Sequence, residues 1–305
     1  MKREHHRGRG RTLLILIFIF AAIYLTASHY FPEFNTYIES FIANFTGETN
    51  EYEGELSVHF IDVGQGDATL IRTPGGKNIL IDAGPNSDED KLKKYLDVLK
   101  IRNIDYAIFT HPHEDHIGGA DMVLNKYTVK SVILPDVVTN TVTFEKLLEA
   151  IEKNGCSVIT ASPGSSYTID NVTLKILAPL KISEKDLNNA SIVLKLTYGV
   201  TSFMFTGDAE KDSEYRMLDK YDKNEFSCNV LKVGHHGSST SSSSSFVKAI
   251  SPSAAVISCG KNNDYGHPHS ETLSLMKKLG ITVYRTDLLG SVVAVSDGKE
   301  VTFPE

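Results

Sequence analysis

The strongest constraint on the fold is a short polar stretch, residues 110–119, which carries three histidines and two acidic residues within six positions. It directly follows an apolar run at 104–109 that predicts a buried strand, and the glycines behind it lead into a predicted helix. Loops between strands and helices commonly carry the chemistry of mixed α/β proteins. Because neutral imidazole is the commonest metal ligand, the stretch predicts a metal site rather than a polar surface loop.

The spacing within this stretch favours two metal ions over one. His111 and His113 point the same way if the loop is extended, since side chains alternate along an extended chain. Asp115 and His116 belong to the following turn and can reach a second point a few ångström away. The remaining histidines after His59 fall at only two further places, 235–236 and 267–269.

Two more segments place polar residues directly after strand-like runs. A predicted hairpin at 192–206 ends in Asp208, which suits a carboxylate that bridges two ions and equally suits the N-cap of the next helix. A strand-like run at 229–233 ends in His235 and His236. With the stretch at 111–116 and the histidines at 267–269, three histidine-bearing segments follow predicted strands of one sheet. This arrangement predicts that the three segments meet at a single site.

The fold class that this pattern predicts is α+β, with strands and helices interleaved in one domain as stacked αββα layers. A chain of 305 residues with 41% hydrophobic content can bury such a core. Strands are predicted at 55–63, 68–73, 77–82, 104–110, 131–134, 157–160, 166–169, 172–177, 192–198, 201–206, 229–233, 254–258, 282–285 and 292–295. Helices are predicted at 88–99, from 117, at 144–154, at 210–220, up to 250, and at 271–279.

The N-terminus predicts a membrane anchor. Five Lys and Arg residues precede an uncharged stretch of about twenty residues, which is the length a helix needs to span a bilayer, with the basic side toward the cytoplasm. A cleaved secretory signal is the alternative, because small residues at 26–28 suit a peptidase. We therefore expect a flank and anchor at 1–31, a linker at 32–54 and an extracytoplasmic domain at 55–305, which is single-pass in the membrane or secreted after cleavage.

Charge and cysteine content narrow the function. Residues 1–27 hold five of the 31 Lys and Arg and one of the 38 Asp and Glu, which leaves 26 basic and 37 acidic residues in the body. An acidic body is a poor host for long polyanions unless basic groups line the site. The three cysteines, Cys156, Cys228 and Cys259, are too few and too scattered for a disulfide framework.

Five motifs together resemble the metallo-β-lactamase superfamily, and within it the hydrolase domain of the ComEC competence proteins and its free-standing relatives. The motifs lie at 60–68 (FIDVGQGDA), 80–84 (LIDAG), 111–116 (HPHEDH), 206–208 (TGD) and 232–238 (KVGHHGS). The segments YGHPH at 265–269 and YRTDLLG at 284–290 are also ComEC-like. The resemblance covers roughly residues 55–300 and implies a four-layer αββα sandwich.

The resemblance also implies a ligand set for two divalent ions. One ion is held by His111, His113 and Asp208, and the other by Asp115, His116, Asp208 and His235. Asp208 bridges the two, and Asp82 is a supporting carboxylate that positions the loop. Of the two adjacent histidines, His235 is preferred over His236 because it lies nearer the strand end.

One departure from many superfamily members is the absence of a further histidine between His116 and His235. The first ion then has three protein ligands and an open position for water or a substrate oxygen. Two ions about 3.5–4 Å apart can clamp an in-line displacement at phosphorus and lower the pKa of bound water to about 7. Zn²⁺ fits the histidines, and Mn²⁺ fits the mixed nitrogen and oxygen ligands.

Asp115 and Asp208 are the predicted catalytic carboxylates, and Asp115 is predicted both to bind metal and to orient the attacking hydroxide. A further set of side chains is predicted to hold phosphate oxygens or to protonate the leaving group, with loop packing and helix capping as the alternative. These residues are Asn189, Ser191, Lys232, His236, His267 and His269.

The predicted function is hydrolysis of phosphodiester bonds, with DNA as the substrate that the ComEC resemblance implies. A phosphodiesterase for phosphorylcholine or teichoic acid at the cell surface is the second hypothesis, which the acidic body favours. A tethered binding module without activity is the third. With a single hydrophobic segment, the chain cannot itself be an uptake channel, and the sequence predicts no protein partner.

Overall fold

The computed structural model describes residues 52–304. The predicted flank and anchor at 1–31 and almost all of the linker at 32–54 lie outside these residues. Within the described part, no helix has the length and apolar character needed to cross a bilayer. Residues from Tyr52 onward form one compact unit.

The first sheet has eight strands in the spatial order β15-β14-β1-β2-β3-β4-β5-β6. Its strands are β1 (Leu56–Phe60), β2 (Thr69–Arg72), β3 (Asn78–Ile81), β4 (Asn103–Ile108), β5 (Thr128–Leu134), β6 (Ser157–Thr160), β14 (Val292–Ser296) and β15 (Val301–Thr302). Strands β3 to β6 run parallel to one another. The carboxyl ends of β3 and β4 therefore lie side by side at one edge of the sheet.

The second sheet has seven strands in the order β13-β12-β11-β10-β9-β8-β7. Its strands are β7 (Ser166–Ile169), β8 (Val172–Ala178), β9 (Val193–Tyr198), β10 (Thr201–Phe205), β11 (Val230–Lys232), β12 (Ala254–Ile257) and β13 (Thr282–Arg285). Strands β10 to β13 are parallel. Their carboxyl ends also share an edge.

The helices connect these strands. They are α1 (Glu89–Val98), α2 (Glu114–Ile117), α3 (Ala120–Lys126), α4 (Val142–Asn154), α5 (Lys211–Lys220), α6 (Ser244–Ile250), α7 (Ser270–Lys278) and α8 (Thr286–Leu289). Local sequence sets their ends: at α4 the Thr141 hydroxyl caps the first turn, and Gly155 ends the helix in the left-handed conformation.

Three apolar clusters divide the molecule into layers. The central one joins side chains of both sheets, and Phe60 of β1 stacks on Phe205 of β10 with ring centroids 6.2 Å apart. A second cluster packs α1, α3 and α4 against the outer face of the first sheet. A third packs α5, α6 and α7 against the outer face of the second sheet. The fold is therefore a mixed α/β sandwich of two sheets with helices on both outer faces.

Most of the predicted elements are present within a few residues of their predicted bounds. Three elements were not predicted, β15 with two residues and the helices α2 and α8 with four each, because segments this short carry no measurable periodicity. All three cysteines are free, as the sequence predicted.

Candidate metal centre

Polar side chains follow five strands that end at the same side of the sandwich. Asp82 follows β3, the histidine stretch follows β4, and Asp208 follows β10. His235 and His236 follow β11, and the 265–269 segment lies beyond β12. These segments lie close together, as predicted, but their strands belong to two facing sheets and not to one sheet as the sequence argument expected.

Asp82 organises the histidine loop from beneath. Its carboxylate accepts a hydrogen bond from the Thr110 amide at 2.7 Å and another from the Thr110 hydroxyl at 2.8 Å. Nδ1 of His116 lies 2.8 Å from the same carboxylate. Asp82 holds a left-handed backbone conformation, φ 58°, which is costly for a non-glycine residue and is typical of functional sites. These contacts fix the His116 ring so that its Nε2 faces the other acidic groups.

Asp208 is held by the opposite sheet. Its amide donates to the Ser191 hydroxyl at 3.1 Å. Gly207, before it, has φ +49°, and a Cβ at this position would lie 2.9 Å from Thr110 Cβ. Glycine therefore allows the end of β10 to approach the histidine loop closely, and this brings Asp208 to the loop.

The predicted ligands of the first ion lie together. Nε2 of His111 is 3.0 Å from Nδ1 of His113, and the two rings meet nearly edge to face. The same His111 Nε2 lies 3.9 Å from Asp208 Oδ2. His111 is buried, whereas His113 lies at the wall of an open cavity.

A second group, Asp115, His116, Asp208 and His236, offers ligand atoms that all lie within 4.8 Å of one another. Nε2 of His116 is 3.2 Å from Asp208 Oδ1, and Nε2 of His236 is 3.0 Å from Asp115 Oδ2. Asp208 therefore contacts both predicted ligand groups, as expected of a bridging carboxylate.

The geometry brings His236 into this group, although the sequence argument chose His235. His236 is buried, and the Ser258 carbonyl lies 3.0 Å from its Nδ1, which directs Nε2 at the carboxylates. His235 is partly exposed, its Nε2 is 3.6 Å from Asp208 Oδ2, and its Nδ1 is 3.1 Å from the Thr240 hydroxyl. Both histidines have left-handed backbone, φ 51° and 53°, so neighbouring side chains do not point as they would in a strand.

Burial and neighbouring charges shift the pKa values of the acidic and histidine side chains in this group in different directions. Burial by itself raises the pKa of Asp208, but the nearby His116 and His236 outweigh burial and hold that pKa well below its ordinary value. Burial by itself lowers the pKa of His236, yet Asp208 and Asp67 raise it to about 10. The pKa of His111 lies well below its ordinary value because of burial and the neighbouring His116. The Asp208 carboxylate is therefore ionised, and His116 and His236 supply the positive charge beside it, a place that a metal cation can also take.

Two buried ligand atoms that lack hydrogen bonds also favour the binding of a divalent ion by this group. Within residues 52–304, the buried His116 Nε2 and Asp208 Oδ1 make no hydrogen bond of good geometry, although they lie 3.2 Å from each other. Leaving such atoms unsatisfied costs free energy, and a bound cation would satisfy both. Mixed imidazole and carboxylate donors suit Zn²⁺ and Mn²⁺. The residues present therefore fit the predicted metal centre.

The cluster opens into a cavity of about 360 Å³. Its walls are formed by ten residues from both sheets and their loops. These are Gln65, His113, Glu114, Asp115, Asn188, Asp208, His235, His236, Tyr265 and His267. Ligand groups and open space therefore meet at one place, as an active site requires.

Among the predicted substrate-contacting residues, His267 and His236 line the cavity, and four others do not. Lys232 is buried, and its Nζ pairs with an Asp67 oxygen at 2.7 Å. This pairing corrects the prediction of a phosphate contact for Lys232, because an ammonium group held in a buried pair cannot reach the cavity.

The other three predicted contacts are also engaged elsewhere. The side-chain oxygen of Asn189 accepts the amides of Glu210 and Ser213 at the start of α5. Ser191 is fully buried beneath Asp208. Nδ1 of His269 accepts the Ser239 amide at 2.9 Å. All three side chains therefore have roles in loop packing or helix capping, which was the alternative to substrate contact.

Sequence reasoning missed several residues of the site. Asp67 has an oxygen 3.3 Å from His236 Nδ1 and forms a second compact acidic group with Asp82 and His116. Gln65, Asn188 and Tyr265 line the cavity. Gln65 and Asp67 lie in the 60–68 motif, and Tyr265 lies in the 265–269 motif. The sequence analysis identified both motifs but assigned no role to these three residues.

Comparison with known proteins agrees with this geometry. Residues 61–261 match the family model described as the metallo-beta-lactamase superfamily. The chain is 34% identical over 257 residues to ComE operon protein 3 of Bacillus subtilis, which covers 79% of this chain and 33% of that protein. It is 31% identical over 243 residues to competence protein ComA of Neisseria gonorrhoeae, and the matched region covers 79% of this chain and 32% of that protein. The chain thus spans about a third of the length of these relatives.

Solved structures show the same fold at low identity. The metallo-beta-lactamase fold protein YhfI from Bacillus subtilis superposes with a TM-score of 0.53 at 13% identity, covering 79% of this chain and all of that one. CmlA, a diiron beta-hydroxylase from Streptomyces venezuelae, superposes with a TM-score of 0.53 at 14% identity, covering 80% of this chain and 54% of that one. The chain therefore belongs to the metallo-beta-lactamase superfamily, as a metal-dependent hydrolase related to the competence proteins.

Proposed function

We propose that the chain hydrolyses phosphodiester bonds of DNA with two divalent ions. The observation that carries this proposal is the position of Asp208, whose two oxygens lie 3.9 Å from His111 Nε2 and 3.2 Å from His116 Nε2. Such a carboxylate can serve two ions at once, and paired ions suit displacement at phosphorus. The relatives named as competence proteins favour DNA as the substrate.

We assign the first ion, Zn²⁺ or Mn²⁺, to His111, His113 and Asp208. The second ion is assigned to Asp115, His116 and Asp208, with His236 in place of the His235 that the sequence argument chose. His236 is favoured because Asp115 Oδ2 lies 3.0 Å from its Nε2 and because its Nδ1 has a carbonyl partner that fixes the ring. His235 remains at the cavity wall, where it can contact the substrate.

When bound, the two ions supply Lewis acidity for the phosphate and a water molecule of lowered pKa. The protein contributes the positions. Asp82 and Ser191 hold the His116 ring and the Asp208 backbone from opposite sides of the site. Asp115 faces the cavity and can orient the attacking water by accepting its hydrogen bond. Burial and the neighbouring His236 lower the pKa of His267 to about 4, so this ring, also at the wall, is neutral near pH 7 and can donate a hydrogen bond, but not a full proton, to the departing oxygen.

A phosphodiesterase for phosphorylcholine or teichoic acid is the second candidate, and charge is the observation that favours it. The part of the chain after residue 27 has an excess of eleven acidic residues (37 against 26), and Glu114, Asp115 and Asp208 line the cavity. A small or choline-bearing substrate needs no basic track, whereas a long polyanion does. An inactive binding module is the third candidate, and failure to bind metal would favour it.

We further propose that the chain is anchored by 1–31, spaced by 32–54, and active outside the cytoplasmic membrane through 55–305. The support is the basic flank before an uncharged segment of about twenty residues. A reporter fused at each end of the chain tests this topology: alkaline phosphatase should be active only at the C-terminal end. Activity at the N-terminal end would refute the orientation, and release of a shortened chain into the medium would show cleavage.

The activity is tested with the full chain in detergent, loaded with Mn²⁺ or Zn²⁺. A single-stranded oligodeoxynucleotide and p-nitrophenyl phosphorylcholine are offered in parallel. We expect the oligonucleotide to be cleaved, His113→Ala to abolish cleavage, and His6→Ala, outside the predicted domain, to leave it unchanged. Cleavage of only the choline ester favours the second candidate, and cleavage of neither refutes the proposed function.

A further inference from the structure

Tyr265 is an exposed aromatic residue at the wall of the cavity, with 67% of its surface open to solvent. Its ring stacks on His267, with centroids 5.6 Å apart and planes 19° apart. His267 in turn stacks on His236, at 6.1 Å and 28°. A ladder of three flat rings therefore leads from the ligand group to the outside.

The loop that carries these rings is fixed, although Tyr265 is exposed. The Asn263 side chain accepts the amides of Tyr265 and His267 at 3.2 and 3.0 Å and donates to the His267 carbonyl at 2.6 Å. The Gly260 amide, at the start of the loop, donates to Gln65 Oε1 at 3.0 Å. An aromatic ring held in place costs little further entropy when a planar group packs on it.

The charge of the cavity shows which contacts a substrate can use. Among the described residues that line it, none is Lys or Arg, and three are acidic. Phosphates flanking the reacting one therefore gain little from side-chain cations here. Stacking of bases on aromatic rings supplies affinity without positive charge, and every base has a face that can stack.

We infer that Tyr265, backed by His267, is a stacking platform for an unpaired base beside the scissile phosphate. The inference rests on the proposed function and narrows its substrate to single-stranded nucleic acid, because a base paired within a duplex has no free face. A quaternary ammonium group is less suited, since its recognition uses several aromatic walls. Tyr265 is the one Phe, Tyr or Trp among the described residues that line the cavity.

The test compares three esters that share the p-nitrophenol leaving group. They carry thymidine 5′-phosphate, methyl phosphate and phosphorylcholine, and the full chain is loaded with Mn²⁺. We expect Tyr265→Ala to lower kcat/KM for the thymidine ester between about 5-fold and 150-fold and to lower kcat/KM for the methyl ester by a much smaller factor. Tyr265→Phe keeps the ring and should retain activity on all three.

Selective loss on the phosphorylcholine ester would overturn the inference in favour of an ammonium site. Equal effects on all three esters, or no effect, would also overturn it. If the unaltered chain hydrolyses none of them, the proposed function itself fails, so the two failures are distinguishable.

A binding measurement gives a second readout that needs no turnover. The metal-free chain is titrated into fluorescently labelled oligothymidylate and into an abasic oligomer of equal length and charge. We expect tighter binding of oligothymidylate, and we expect Tyr265→Ala to remove most of the difference. Equal affinity of the unaltered chain for both oligomers would contradict the platform.

Discussion

The buried pair of Asp67 and Lys232 offers a quantitative test of how the site is supported. Their charged atoms lie 2.7 Å apart, with 6% and 3% of the side chains exposed. Burial by itself raises the pKa of Asp67, but Lys232 and His236 lower it to about 2. At an effective dielectric constant of about 20, the Coulomb attraction at this distance is about 6 kcal/mol, before desolvation is subtracted.

Replacing Lys232 by Met leaves the Asp67 charge buried without its ammonium partner. Removing one member of such a pair typically costs about 3–5 kcal/mol, so Lys232→Met should lower the free energy of unfolding by about that amount. Asp67→Asn alone should also destabilise the chain. In the double variant neither charge remains, and we expect a coupling free energy of at least about 2 kcal/mol between the two sites.

The assay is urea unfolding of the full chain in detergent and chelator, followed by circular dichroism. Lys93→Met is the matched control, because Lys93 pairs with Asp97 and both side chains are exposed, at 38% and 42%, and exposed pairs contribute little. A loss for Lys232→Met no larger than for Lys93→Met would refute the argument. Additive losses in the double variant would refute it as well.

Three further changes test other parts of the account. Gly207→Ala should destabilise by about 1–3 kcal/mol more than Gly155→Ala in urea unfolding, since both have positive φ but only Gly207 is crowded; equal losses would contradict this. Burial and, to a smaller extent, Arg72 lower the pKa of His59 to about 3. Between pH 3 and 6.5 the unfolded chain therefore binds more protons than the folded chain. The free energy of unfolding should then fall on acidification by up to about 1.4 kcal/mol per pH unit. His59→Gln should flatten that slope, and an unchanged slope would show that other groups cause it. In Mn²⁺ titrations, His236→Ala should weaken binding by more than the ~10- to 100-fold typical of losing a supporting partner, whereas His235→Ala should stay within that range; the reverse order would return the ligand role to His235.

The sandwich and the converging strand ends could be predicted because they depend on local patterns. Apolar runs of strand length were followed by polar residues at 82, 110, 206 and 235. Parallel neighbours bring the first two ends to the edge of one sheet and the last two to the edge of the other. The spacing of His111 and His113 and the hairpin before Asp208 were sufficient to predict a common site, although the sequence argument placed the histidine-bearing ends on one sheet rather than two.

The remaining features depend on contacts that spacing does not encode. Lys232 is an ordinary basic residue in the sequence, and only the fold shows that its partner, Asp67, lies 165 positions away. The choice between His235 and His236 depends on two consecutive residues with positive φ. Gly234 and Gly237 signal a turn here, but since neither histidine is a glycine, the sequence does not show that both adopt positive φ.

Metal content tests the central claim most directly, namely that distant strand ends hold two ions through a shared carboxylate. The metal-free full chain is dialysed against Mn²⁺ or Zn²⁺, freed of loose metal, and analysed for ions bound per chain. We predict two ions for the unaltered chain and fewer than one for Asp208→Ala, because the bridging residue serves both. An unaltered chain that binds no ion, or an Asp208→Ala chain that retains both, would contradict the account.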